Sequence, residues 1–244
     1  MIRIDPLASE ARSLWRLTLQ LAQALGPERE WSLIGGLMVQ LHGLEHGDEL
    51  RPTVDIDLLG AARKPPAVTE KIAALISERG AKVAMPPRSK PDVGYRFELD
   101  GEIVEILAPD GLRSDPKTLG GLTTFQVAGG TQALQRTEVV LVSLDGSEPI
   151  AVRRPSLLGA ILIKARAVAR RRKEKFDSDR QDLIRLLSYV EDPRALARDE
   201  QLRATEKKWL LKVELRLFED NDLGALFPPP VLERAQQAFR LLCA

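Results

Sequence analysis

The chain has 244 residues, of which 44% are apolar, 5% aromatic and 29% charged, with a formal net charge of +1. That composition excludes a wholly disordered chain, and the scarcity of aromatics argues against a stacking platform for single-stranded nucleic acid. One cysteine, Cys243, excludes an internal disulfide and a Cys-based zinc site.

The near-neutral balance hides an asymmetry. Residues 1–150 carry 16 Lys+Arg against 21 Asp+Glu, a balance of −5, and residues 151–244 carry 20 against 14, a balance of +6. Such a division fits a polyanion gripped between an acidic and a basic half, and fits equally a basic, solvated helix surface. No apolar run is long enough to span a bilayer, and the N-terminus lacks a signal-peptide core, so a cytoplasmic protein is expected.

From Asp5 to Leu25, Leu14, Leu17, Leu21 and Leu25 recur at three and four residues, which predicts an amphipathic helix stopped by Gly26-Pro27. Trp31–Ile34 reads as a short strand. Gly35 and Gly36 follow, then Leu37, Met38, Leu41 and Leu44 at helical spacing, so the glycines stand at a helix N-terminus. Such an end offers unpaired N–H donors and the positive end of the helix dipole to an anion, and glycine lets that anion approach closely. Val54 to Leu59 predicts a second strand, with Asp55 and Asp57 on one face and Val54, Ile56 and Leu58 on the other. Two carboxylates one strand period apart repel, and coordination of a divalent metal makes the arrangement favourable; an all-oxygen site suits Mg²⁺.

Ala67 to Arg79 has the spacing of another amphipathic helix, with Gly80 at its end. Met85 to Val93 reads as a loop. Tyr95–Leu99 and Glu102–Leu107 flank Asp100-Gly101, a hairpin signal. In the second of these strands Glu105 stands between apolar neighbours, where an unpaired carboxylate would be costly to bury. Asp110 to Gly130 shows no strong periodicity. Thr137–Leu144 and Ile150–Arg153 predict two further strands joined at Asp145-Gly146, and the composition turns helical after Pro155. A junction is therefore expected near Ala151.

Beyond it, Leu158, Ile161, Leu162, Ala165 and Val168 define one buried helix face, and Lys164, Arg166 and the run Arg170 to Lys173 are assigned to the opposite, outward one. Asp179 and Asp182 are three apart, near the start of the next helix, where negative charge is favourable. Trp209–Phe218 and Val231–Leu242 are the periodic parts of the remainder, with Trp209, Phe218 and Phe239 expected in the core.

The order glycine pair, helix, then R-x-T-x-D-I-D at Arg51–Asp57 resembles the signature of the DNA polymerase β-like nucleotidyltransferase superfamily. The segment from Ile150 to Leu187 resembles the helical half of AbiE-type toxin nucleotidyltransferases, in which a Pro precedes a helix bearing K-x-x-A-x-x-x-R and then an acidic D-x-x-D start; Lys164, Ala167, Arg171, Asp179 and Asp182 occupy those places, with Ser178 where Lys is usual. The resemblance spans Trp31 to Leu187. It implies an α+β fold, a small mixed sheet flanked by helices, over residues 1–150, followed by a helical domain over residues 151–244 that completes the cleft. It implies transfer of a nucleoside monophosphate from an NTP to an acceptor hydroxyl, with two Mg²⁺ ions held by Asp55, Asp57 and Glu105, Glu105 taking the place of a more usual Asp. Gly35, Gly36, Arg51, Lys164, Arg171, Asp179 and Asp182 are the implied nucleotide-binding residues, and Ser32 is a candidate donor near the cleft. Many relatives have Ser where this chain has Gly36. For toxin-type relatives the implied acceptor is RNA such as tRNA, with a separately encoded antitoxin as partner. An aminoglycoside-like small-molecule acceptor and a catalytically silent nucleotide-binding module are the competing readings.

Overall fold

A computed structural model describes residues 1–4, 9–28, 30–49, 52–63, 65–84, 92–170, 176–218 and 223–244. Nine strands occur among them: β1 (Ile2–Ile4), β2 (Trp31–Ile34), β3 (Asp55–Gly60), β4 (Lys82–Val83), β5 (Arg96–Leu99), β6 (Glu102–Pro109), β7 (Gln126–Val127), β8 (Thr137–Leu144) and β9 (Ile150–Pro155). The principal helices are α1 (Ser9–Leu25), α2 (Gly35–Glu45), α3 (Val68–Glu78), α4 (Gly130–Gln135), α5 (Leu157–Arg170) and α6 (Phe176–Ser188). Shorter helices α7 (Pro193–Asp199), α8 (Ala204–Leu211), α9 (Glu214–Phe218) and α10 (Leu223–Leu226) lead to α11 (Pro229–Cys243). None of the described helices is long and apolar enough to cross a membrane.

Strands run in the order β2-β3-β6-β5-β4 in the larger sheet, with β7 also paired to β6, and β1-β8-β9 in the smaller. The larger sheet is mixed: β3 is antiparallel to β2 and parallel to β6. Its register sets Asp57 opposite Glu105 and Asp55 opposite Ile103. Because side chains alternate, Ile56, Leu58, Val104 and Ile106 share the other face, and each is at most 1% exposed. Val54, expected on that apolar face, instead precedes the strand and is 75% exposed.

Two cores result. One joins α1 and α3 to the sheet through Leu21, Ile56, Ile72, Phe97 and Val104. The other fills the helical region, from Ile161 and Leu162 on α5 through Leu183 and Leu187 on α6 to Phe239 on α11. Helix α2 stands between them, giving Leu37 and Leu41 to the first and Met38 and Val39 to the second. A helix apolar on every side is stable only when enclosed, so the direction of α2 and the position of its amino end are set by packing from both sides. Phe239 is in the core as expected, with Phe218 edge-on to it at 5.6 Å, whereas Trp209 is only partly buried. The junction expected at Ala151 falls within β9, whose last residue, Pro155, is followed closely by α5.

His42 ties α2 to β9. Its ring is 2% exposed, and Nε2 lies 3.1 Å from the Pro155 carbonyl oxygen, to which it donates in the neutral tautomer. Burial, and then the Arg154 charge, push its pKa well below the ordinary value. The folded chain therefore refuses a proton that the unfolded chain accepts below about pH 6.5. Unfolding should take up about half an extra proton at pH 6.5, rising to about 0.9 at pH 5.5, and stability should fall by about 1 kcal/mol across that window. Urea denaturation at the two pH values checks this; His42→Gln, which retains an N–H donor, should flatten the dependence.

Candidate active site

The end of β2, the amino end of α2 and the neighbouring strands β3 and β6 meet at one point. Gly35 is the first residue of α2 and has φ +71°, a left-handed conformation that favours glycine. A Cβ built there would lie 1.7 Å from Oδ2 of Asp57. The first glycine is thus doubly required, by its backbone and by the carboxylate against which it packs. Its position also places the amino end of a helix, the positive end of its dipole, beside that carboxylate.

Asp55, Asp57 and Glu105 converge: one carboxylate oxygen from each lies within 4.8 Å of the others. Asp55 accepts a hydrogen bond from Thr53 Oγ1 at 3.3 Å. Glu105 is 9% exposed, and Arg96, its cross-strand neighbour, brings Nη1 to 3.9 Å from Oε1. Three acids at this spacing in a partly enclosed site repel one another strongly, and a hard divalent cation relieves that repulsion with oxygen ligands. The donor set therefore fits Mg²⁺, and Asp55, Asp57 and Glu105 are the side chains that would hold it.

The acids line a cleft of about 680 Å³ together with Gly35 and Gly36. Its opposite wall comes from α5 and the start of α6. There Lys164 is not on an outward face, as its spacing had suggested; it is 7% exposed because α6 packs over that side of α5. Its Nζ donates to Asp182 Oδ2 at 2.7 Å and Asp179 Oδ1 at 3.0 Å. Burial by itself would lower the Lys164 pKa, but the charges of Asp182 and then Asp179 outweigh it, so the pKa is raised and the ammonium persists. Lys164, Asp179 and Asp182 are thus brought together at the cleft wall. Arg51 and Arg171 lie outside the described residues. Ser32 is fully buried between strands and does not line the cleft.

Sequence reasoning missed the aromatic corner of the cleft. Tyr95 and Phe125 meet edge to face with centroids 4.8 Å apart, and both line it. Burial and then the nearby Glu105 charge raise the Tyr95 pKa, so its phenol stays protonated and able to donate at neutral pH. Tyr95 adjoins a strand read correctly from its pattern, but Phe125 comes from the stretch with no periodicity, and no local signal pairs the two. The same reasoning assigned Arg166 and Arg170 to an outward helix face, whereas both line the cleft.

No protein-family model matches the chain. In structure it is similar to an antigenic nucleotidyltransferase-like protein from Paracoccidioides brasiliensis, with TM-score 0.52 and 16% identity over 94% of this chain and 95% of that one. ANT(2")-Ia in complex with adenylyl-2"-tobramycin is a more distant likeness, aligning over 84% of this chain and 97% of that one at TM-score 0.42 and 14% identity. In sequence, GTPase Der of Thioalkalivibrio sulfidiphilus is 29% identical over 110 residues, and GTPase Der of Aromatoleum aromaticum 30% over 110. The chain spans about a quarter of the length of these curated relatives (24% and 25%) and contains no G-x-x-x-x-G-K-S/T phosphate loop. The architecture is therefore that of the nucleotidyltransferase-like fold, mixed sheets flanked by helices with a helical C-terminal region, as the sequence resemblance implied.

Two substitutions follow from this geometry. Gly35→Ala should push Asp57 aside and weaken divalent-ion binding about 10–100-fold, read by Mn²⁺ titration in an electron paramagnetic resonance assay. Lys164→Met should lower folding stability by about 3–5 kcal/mol, because two buried carboxylates lose the cation between them; urea denaturation measures it.

Proposed function

We propose that this chain is a Mg²⁺-dependent nucleotidyltransferase that moves a nucleoside monophosphate from an NTP to an acceptor hydroxyl. The observation that carries the reading is the convergence of Asp55, Asp57 and Glu105 at the glycine-lined amino end of α2. The nucleotidyltransferase-like fold supports it.

Each group then has a part. Asp55, Asp57 and Glu105 would hold divalent ions, whose chemistry when bound would be activation of the acceptor oxygen and relief of charge on the triphosphate and the departing pyrophosphate. Backbone N–H groups at Gly35 and Gly36 hold the β- and γ-phosphates, with no side chain between donor and ligand. Asp57 accepts the close approach of Gly35 and so stays aimed into the cleft. The phenol of Tyr95, kept protonated, offers a hydrogen bond beside Glu105. Lys164, with Asp179 and Asp182, forms the wall facing the acids, so residues 1–150 supply the ion-binding side and residues 151–244 close it. Arg51 and Arg171 are proposed as further phosphate contacts on sequence grounds.

The acceptor in this reading is RNA, such as tRNA, in a cytoplasmic toxin-type enzyme restrained by a separately encoded antitoxin. Its support is the match of Lys164, Ala167, Arg171, Asp179 and Asp182 to the helical half of AbiE-type enzymes, together with the basic run from Arg170 to Lys175. Phosphate contacts of that kind weaken steeply as salt rises.

Incubation with α-labelled NTP, Mg²⁺ and total tRNA tests the proposal. Label should pass to RNA, and Asp57→Asn should reduce transfer at least about 10³-fold, the scale of losing a metal's stabilisation of the transition state. Label on an aminoglycoside rather than RNA would move the acceptor to a small molecule. NTP binding without transfer to either would replace the enzyme with a silent module, and full activity in Asp57→Asn would remove the metal site from the reaction.

A further inference from the structure

The cleft needs a cation on the wall that faces the acids, because a triphosphate brings several negative charges into a site that already holds three carboxylates. Lys164 is poorly suited to supply it: its ammonium is held by Asp179 and Asp182, and the three side chains together carry net negative charge. Two other cations line the same wall, Arg166 and Arg170, one helical turn apart on α5. Like charges at that spacing destabilise a helix unless an anion lies between them.

Arg166 is held in place from two sides. Its stem packs against Gly129, where a Cβ would come within 3.1 Å of Arg166 Cγ, and Gly129 itself has φ +84° at the start of α4. Its guanidinium lies over the Trp209 ring, 4.5 Å from the centroid. Stacking of this kind orients a planar guanidinium without using its N–H donors. No ion pair forms on Arg166 among the described residues, and its Nε is buried without a hydrogen-bond partner. The acid that acts on it, Asp110, accepts hydrogen bonds at both carboxylate oxygens from the backbone N–H groups of Gly129 and Thr131, at 3.0 and 3.1 Å. Burial and then the charge of Arg170 lower the Arg166 pKa, against a smaller opposing pull from Asp110.

We infer that Arg166, positioned by Trp209 and Gly129 and backed by Arg170, binds the polyphosphate tail of the nucleotide from the helical side of the cleft. The inference rests on the nucleotidyltransferase reading and adds the residue that distinguishes a triphosphate from a monophosphate. Trp209 is a positioning residue here, which accounts for a large aromatic left partly exposed instead of joining the core.

The test is calorimetry in Mg²⁺ on the full chain, with inorganic tripolyphosphate, a non-hydrolysable NTP and the matching NMP as ligands. Arg166→Gln should weaken tripolyphosphate and NTP at least about tenfold, the loss of one charge-assisted contact, and leave NMP within about threefold, well under the value of such a contact. Trp209→Leu should weaken tripolyphosphate by a smaller factor with NMP unchanged, a split that a purely structural role would not produce. Should Arg166→Gln fail to fold, Arg166→Lys replaces it; it keeps the stem and the charge but not the planar stack, and about threefold weaker tripolyphosphate binding is expected. Unchanged tripolyphosphate affinity in the folded Arg166 variant, or equal losses for NTP and NMP, overturns the inference and leaves the enzyme assignment standing. If the unaltered chain binds neither tripolyphosphate nor NTP, both fall together.

Discussion

The site depends on how closely the first residue of α2 approaches the carboxylate of Asp57. Nothing larger than a hydrogen atom fits on Gly35 without displacing that side chain. The left-handed backbone at Gly35 turns the chain directly from β2 into α2, so the strand, the turn and the helix amino end occupy very little space. Because β2 pairs with β3, and β3 with β6, the same turn fixes where Asp55, Asp57 and Glu105 stand relative to the helix dipole. The packing of α2 between two cores holds this geometry: its apolar residues face both ways, and His42, Glu45 and Asp48 anchor its far end through Pro155, Arg154, Arg185 and Tyr189.

Charge is arranged across the cleft in a way that the overall balance conceals. The sheet side presents acids in a cluster that a divalent cation would neutralise. The helical side presents a lysine held by two carboxylates, then two arginines. Burying Lys164 between Asp179 and Asp182 secures α5 to α6, and a buried group so placed contributes chiefly to the integrity of the wall. Arg166 differs in being held by an aromatic ring and a glycine, contacts that orient its guanidinium without neutralising it. The division expected from residues 1–150 and 151–244 is therefore real in composition, but what faces the cleft from the basic half is a few selected side chains.

Much of the site was legible because it lies in short, contiguous patterns. The pair Gly35-Gly36 before a helix, and Asp55 and Asp57 alternating in a strand, each reveal their geometry within a few residues. Glu105 was legible only as an acid between apolar neighbours; that it stands opposite Asp57 is a matter of register between strands nearly fifty residues apart in sequence. Lys164 was misplaced for a related reason. Helical spacing put it away from the Leu158–Val168 stripe, yet α6 covers that second side, so a residue off the stripe is buried all the same. Trp209 erred in the opposite sense: a large aromatic in a periodic segment suggested core, yet it is only partly buried and lies under the Arg166 guanidinium.

What the amino-acid order determined by itself was local: which segments are helices and strands, where glycine is needed, and which acids share a face, since these follow from periodicity and backbone sterics over a few residues. Only the tertiary structure decided which cations are free to meet a ligand. The side chains of Lys164 and Arg166 are two positions apart and carry the same charge, and it is the distant Asp179, Asp182 and Trp209 that make one a buried ion pair and the other an oriented guanidinium. A side chain's electrostatic role depends on what surrounds it in three dimensions, and pattern along the chain does not contain that information.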